Sequence, residues 1–205
     1  MSDQVALLPV LHPPYRQLGA PGAACGGRSF CTDCVGAEIV RRDRGRAITA
    51  AAFRKAARPG DPTPCAGLTP SQFLHGLAAF SVKGYEYASR VTVNDVLEAT
   101  DRGIVLVGVN YGLYPSRVEC AIGGKTDFGF VGAHAIGAWG RRKQADGRWH
   151  AWTRDPDHHY DGKDAGGHDA PNWDRMDMRF LARAINALPG TSGWRNTFAI
   201  WRPKR

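Results

Sequence analysis

Cys31-Thr-Asp-Cys34-Val-Gly-Ala-Glu-Ile-Val40 is the stretch on which the fold turns. Its pattern predicts a helix from Cys34 to about Arg42, with Asp33 as the N-cap and Cys34, Ala37, Val40 and Arg41 on one face. Gly36 and Ala37 would let another element approach that helix closely. A helix N-terminus carries roughly half a positive charge and unpaired N–H donors, so a cysteine there is biased toward thiolate. A thiol nucleophile needs a base, and Phe130-Val-Gly-Ala-His134-Ala-Ile-Gly-Ala-Trp139 offers an imidazole with little bulk beside it. Trp152-Thr-Arg-Asp155-Pro-Asp157 then supplies a carboxylate to orient that imidazole, Asp155 first and Asp157 as its neighbour. Cysteine, histidine and acid, each near the start or end of an expected element, is the build of a thiol hydrolase.

The segments around this motif define the fold class. Residues 1–27 read as an extended, Pro/Gly-rich lead-in. Ile48 to Ala57 reads as a helix stopped by Arg58-Pro-Gly. A further helix begins at Thr69-Pro-Ser, with Thr69 as N-cap and Pro70 at the first helical position, and buries Phe73, Leu74, Leu77 and Phe80. Val93 to Thr100 is a short helix introduced by Thr92. The register then changes. Ile104-Val-Leu-Val-Gly-Val-Asn-Tyr111 is a continuous β-branched run, expected as a buried strand. Phe128 to Trp139, Trp149 to Thr153 and Thr197 to Trp201 are expected as further strands. The period of Met178, Leu181, Ile185 and Leu188 predicts a late helix from Asp174 to Leu188. Helices precede strands, so the class is α+β in one domain: a helical lobe over 28–102 and a mainly β lobe over 103–205.

Composition narrows the function classes. The chain has 205 residues, 43% hydrophobic and 22% charged, which is enough for one self-sufficient core. Its net charge of +8 is scattered along the chain apart from two short runs, Arg41-Arg42-Asp43-Arg44 and Arg141-Arg142-Lys143. A solvated surface explains that balance better than nucleic-acid binding. No apolar stretch reaches the roughly 18 residues a membrane span requires, so no membrane partner is expected. The first residues lack the basic and apolar regions of a signal peptide, which points to a cytoplasmic place of synthesis. Five cysteines, at 25, 31, 34, 65 and 120, form an odd set, so metal or catalysis is preferred to a disulfide framework.

Plainer readings stand beside each of these. A single cysteine is more often buried packing than nucleophile, and Asp-Pro is usually a turn. Cys25, Cys31, Cys34 and Cys65 could form a four-cysteine zinc site, but the second C-x₂-C pair is missing. The stretch Asp155-Pro-Asp157-His158-His159-Tyr-Asp161 has metal-ligand chemistry without a spacing that fixes a geometry. No metal or cofactor is expected.

Cys31-Thr-Asp-Cys34-Val-Gly-Ala resembles the Cys-Gly-Ser-Cys-Trp/Val-Ala/Gly-Phe motif of papain-like cysteine peptidases, and Ala133-His134-Ala135-Ile136 resembles their Asn-His-Ala-Val strand. The middle segment, from Gly67-Leu-Thr-Pro through Thr92-Val-Asn-Asp to the Ile104 strand, is similar to compact bacterial and phage members. The resemblance implies a cleft between two lobes, Cys34 as nucleophile, His134 as base and Asp155 as orienting acid, acting on a peptide, protein or peptidoglycan peptide. It implies a pairing of Cys31 with Cys65, which would close a loop of about 34 residues and add roughly 3–4 kcal/mol; in a reducing cytosol the two would stay thiols. The chain departs from the family at the oxyanion glutamine, whose position is held by Arg28, leaving Gln17 and the Cys34 amide as candidate donors. That departure motivates an alternative of another class: a catalytically silent papain-like scaffold serving as an interaction subunit, for instance among the proteins of a bacteriophage virion.

Overall fold

The computed structural model describes residues 30–60, 66–110, 133–143, 145, 147, 149–154, 156, 174–177 and 198–204. In chain order these form α1 (Cys31–Arg44), α2 (Ala50–Ala57), α3 (Pro70–Ala79), β1 (Glu86–Ser89), α4 (Val93–Thr100), β2 (Val105–Asn110), β3 (Ala133–Lys143), β4 (Trp149–Arg154), β5 (Asp174–Asp177) and β6 (Phe198–Trp201).

Three of the four helices start where a threonine can satisfy the first free amides. Thr49 accepts from the Ala52 amide at 3.0 Å. Thr69 and Gln72 form a reciprocal capping box with Pro70 in the first turn, and Thr92 and Asp95 form another. α1 differs. Its N-cap is Phe30, which has no side chain to offer, and the helix begins at Cys31 rather than Cys34. Asp33, expected as the cap, lies inside the first turn with its carboxylate fully buried. At its other end α1 stops at Gly45, whose φ of +62° is the left-handed conformation that closes a helix with little strain only for glycine.

The strands form one six-stranded sheet in the order β1-β6-β2-β3-β4-β5, every neighbouring pair antiparallel. β2 lies inside it, and both of its faces are covered. Leu106 packs with Ala135, Trp139 and Ile200 against α1, α2 and α3. Val105, Val107 and Val109 pack with Ile136, Ala138, Ala151 and Ala199 against α4. That double coverage is why β2 reads as an unbroken apolar run and not as an alternation. The fold class is α+β, as the helix-then-strand order predicts. Asp174–Asp177, expected as the start of a helix, is strand β5 paired with β4; the rest of that expected helix lies outside the described residues.

α1 is buried from Thr32 to Val40, with no solvent-facing side over that length. A helix so enclosed needs small residues where its neighbours come closest. Phe53 of α2 occupies the closest point: a Cβ on Gly36 of α1 would lie 2.3 Å from its ring, and one on Gly76 of α3 would lie 2.9 Å from it. The same ring meets Phe73 at a centroid distance of 5.3 Å and stacks on Phe80 at 6.2 Å. The close approach expected at Gly36 is therefore present, and Phe53 is what approaches.

Two measurements test this packing. Gly36→Ala should destabilise the fold by about 1–3 kcal/mol through overpacking, whereas Gly67→Ala, with open space around it, should be neutral or slightly stabilising; urea unfolding of the two variants makes the comparison. The second concerns acid stability. Hydrogen bonds from the Thr92 hydroxyl and amide hold the Asp95 carboxyl below its usual 3.8. Its contribution is thus complete above that value and is lost as pH falls through the depressed one. Asp95→Asn should flatten the acid limb of stability against pH.

Candidate active site

Cys34 stands on the fourth residue of α1, with 1% of its surface exposed, packed with Phe30 and with Ala50 of α2. Its amide donates to the Phe30 carbonyl at 2.9 Å, making it the first intrahelical donor of α1. This corrects the expectation that the Cys34 amide serves an oxyanion, since in this conformation it is already committed. The free amides of the helix belong to the residues before it.

The turn carrying Cys34 is fixed by a buried ion pair. Arg54 of α2 holds Asp33 with two bonds, Nε to one carboxylate oxygen at 3.1 Å and an Nη to the other at 2.8 Å. The fork geometry suits a bidentate carboxylate. The guanidinium also lies over the Phe30 ring, 3.7 Å from its centroid, a cation–π contact in a water-poor site. Asp33 has no exposed surface and Arg54 has 8%. Burial pushes the Asp33 carboxyl up from 3.8, and the hydrogen bond and charge of Arg54 offset part of that rise. Sequence reading missed Arg54. A signal was available: Ala50 and Arg54 stand four apart in an alanine-rich helix, so an arginine shares the face of a buried alanine.

His134 is the second residue of β3, paired across from Val109 of β2, with 5% of its surface exposed. The pleat puts it on the same face as Ile136 and Ala138, the face covered by α4. Ala135 and Trp139 point to the face covered by α1. β4 ends at Arg154, which pairs with Gly137. Asp155 follows it directly in sequence; Asp155, Asp157, Gln17, Arg28, Cys25 and Cys65 lie outside the described residues. Cys31, at the first position of α1, is partly buried. Among the described residues no group of three or more His, Cys, Asp and Glu side chains is arranged to hold a metal, and no helix is long and apolar enough to cross a membrane.

No protein-family model matches the chain, and no curated protein sequence does. Solved structures are similar to it. One is a C39-like peptidase from Bacillus anthracis, 10% identical, with a TM-score of 0.53 and 94% of each chain covered. Another is the bromelain protease of Ananas comosus in complex with the E64 inhibitor, 13% identical, with a TM-score of 0.47 and coverage of 96% of this chain and 95% of that one. At 10% identity the likeness to the C39-like peptidase is one of fold alone.

Breaking the buried pair should be costly, because the surviving charge has no water to turn to. Arg54→Ala should lose roughly 3–5 kcal/mol of stability. Arg141→Ala removes a half-exposed pair with Asp101 and should lose no more than about 1 kcal/mol. Denaturant midpoints of the two variants give the contrast directly.

Proposed function

We propose that this chain is a papain-like cysteine hydrolase that cleaves a peptide or amide bond. Cys34 attacks the carbonyl carbon, His134 takes the thiol proton and returns it to the leaving amine, and Asp155 fixes the imidazole tautomer from its other nitrogen. The observation that carries this reading is a papain-like fold with a cysteine near the start of its enclosed helix and a histidine near the start of an inner strand. The position of Asp155, directly after a strand paired to that of His134, is consistent with the third role. With the Cys34 amide committed to Phe30, the side chain of Gln17 takes the oxyanion role in this mechanism. The reaction needs no cofactor, and the substrate class is a peptide, a protein or the peptide of a cell wall.

The near-complete burial of Cys34 favours a second reading, a papain-like scaffold retained for interaction, as a virion subunit would be. The two separate on one experiment. The rate of Cys34 alkylation, followed against pH by peptide mapping, should show an apparent pKa well below the roughly 8.5 of a free thiol. His134→Ala should raise it, and Cys34→Ala should abolish hydrolysis of a peptide library while leaving the fold intact. An ordinary thiol, indifferent to His134, would sink the hydrolase and leave the scaffold.

A further inference from the structure

We infer that Arg54 is a positioning residue for Cys34: it holds the turn that presents the thiol and cancels the negative charge of Asp33 beside it. The contacts form a closed circuit. Arg54 binds Asp33, the residue before Cys34, through both carboxylate oxygens. It covers the ring of Phe30, whose carbonyl accepts the Cys34 amide and whose side chain packs on Cys34. Ala50, the residue one turn earlier on the same face of α2, closes the cluster from the other side. One side chain thus touches both the residue that precedes Cys34 and the residue that receives its backbone bond.

The charge argument is separate from the contacts. Cys34 lies past the free amides of α1, and the helix end exerts its field mainly within the first turn. Cys34 closes that turn, so the side chains around it act on the thiol together with the helix end. Asp33 is buried, so its carboxylate disfavours a neighbouring thiolate with little screening by water. Among the described residues Arg54 is the one charged group acting on Asp33. Arg58, the other buried cation of this region, directs its Nη1 to the Ala66 carbonyl at 2.7 Å and leaves Asp33 to Arg54. The other titratable groups on the packed elements are Glu38, Arg41, Arg42, Asp43 and Arg44 further along α1, Lys55 on α2 and His75 on α3, with Cys31 at the head of α1 and His134 on β3.

That Arg54 serves catalysis rests on Cys34 being the nucleophile; that it sets the thiol does not. The test reads the thiol itself. Iodoacetamide alkylation of Cys34 is followed against pH in the wild type, Arg54→Gln, Asp33→Asn, the double variant Asp33→Asn/Arg54→Gln, and Arg54→Lys. Arg54→Gln should raise the apparent pKa of Cys34 by on the order of one unit, Asp33→Asn should lower it, and the double variant should return toward the wild type. Arg54→Lys keeps the charge and loses the fork, so it should restore the titration while lowering kcat for any peptide the wild type cleaves. Single variants shifting in the same sense, or a titration unmoved in a folded double variant and in Arg54→Lys alike with Arg54→Gln also unmoved, would overturn the inference. If Arg54→Gln does not fold, the comparison of Asp33→Asn with the double variant decides: a Cys34 pKa not raised by the added Arg54→Gln change rejects it. The wild type and His134→Ala, measured alongside, report on the hydrolase reading independently.

Discussion

A phenylalanine ring held between two glycines sets the spacing of the helical layer. Phe53 fits because Gly36 and Gly76 leave room for it: a Cβ would lie 2.3 Å from its ring at Gly36 and 2.9 Å at Gly76, so any side chain there would force a shift. The consequence is that α1 can be covered by α2 and α3 on one side and by Leu106, Ala135, Trp139 and Ile200 of the sheet on the other. An enclosed helix cannot slide or rotate without breaking close-packed contacts. The residues at its head therefore have one position relative to the sheet, which is the condition any site built on them needs.

Enclosure has a second consequence. α1 is rich in charged residues for a buried helix, and those taken out of water have to be answered inside the structure. Asp33 is answered by Arg54, and Glu38 by Arg41 one turn on. Arg42 lies over the Trp139 ring, 4.7 Å from its centroid, and burial lowers its affinity for the proton. Asp43 meets Arg202 at the end of β6 at 2.5 Å, and the same arginine lies over Tyr85. The partners come from α2, from α1 itself, from the sheet and from the segment after β6. The helix is thus tied to the rest of the molecule by charge at both ends and by apolar packing in the middle.

This distribution explains what could be read from the sequence. β2 was legible because both its faces are apolar, and α3 and α4 because their caps are local patterns of threonine, proline and an acceptor three residues on. β1 was not: among the described residues Glu86-Tyr-Ala-Ser is an edge strand with one partner and three exposed residues, so neither alternation nor a continuous apolar run marks it. β5 was hidden by the helical period of the residues after it, which drew the expected helix too far upstream to Asp174. The start of α1 was misplaced for a more instructive reason. Asp33 is a good cap residue by local rules, and only the arginine on another helix makes it a buried pair. The elements carrying Cys34 and His134 could be anticipated from residue type and spacing, but the environment of each depends on contacts that no local pattern records.

The misplaced start of α1 bears directly on chemistry. Had the helix begun at Cys34, its free amides and dipole would have surrounded the thiol and supplied both activation and one oxyanion donor. Beginning at Cys31, the helix spends the Cys34 amide on the Phe30 carbonyl, and the fixed field of the backbone falls on the residues upstream. In the hydrolase we propose, the work left to side chains would be correspondingly larger: lowering the thiol's affinity for its proton would fall to His134 and to the balance of Asp33 against Arg54, and stabilising an oxyanion would fall to a donor from elsewhere in the chain. Losing a single such donor costs about 10²–10³ in rate in hydrolases that depend on it. The enclosed helix therefore constrains where the proposed chemistry would occur, while three or four side chains around one of its turns would decide whether it does.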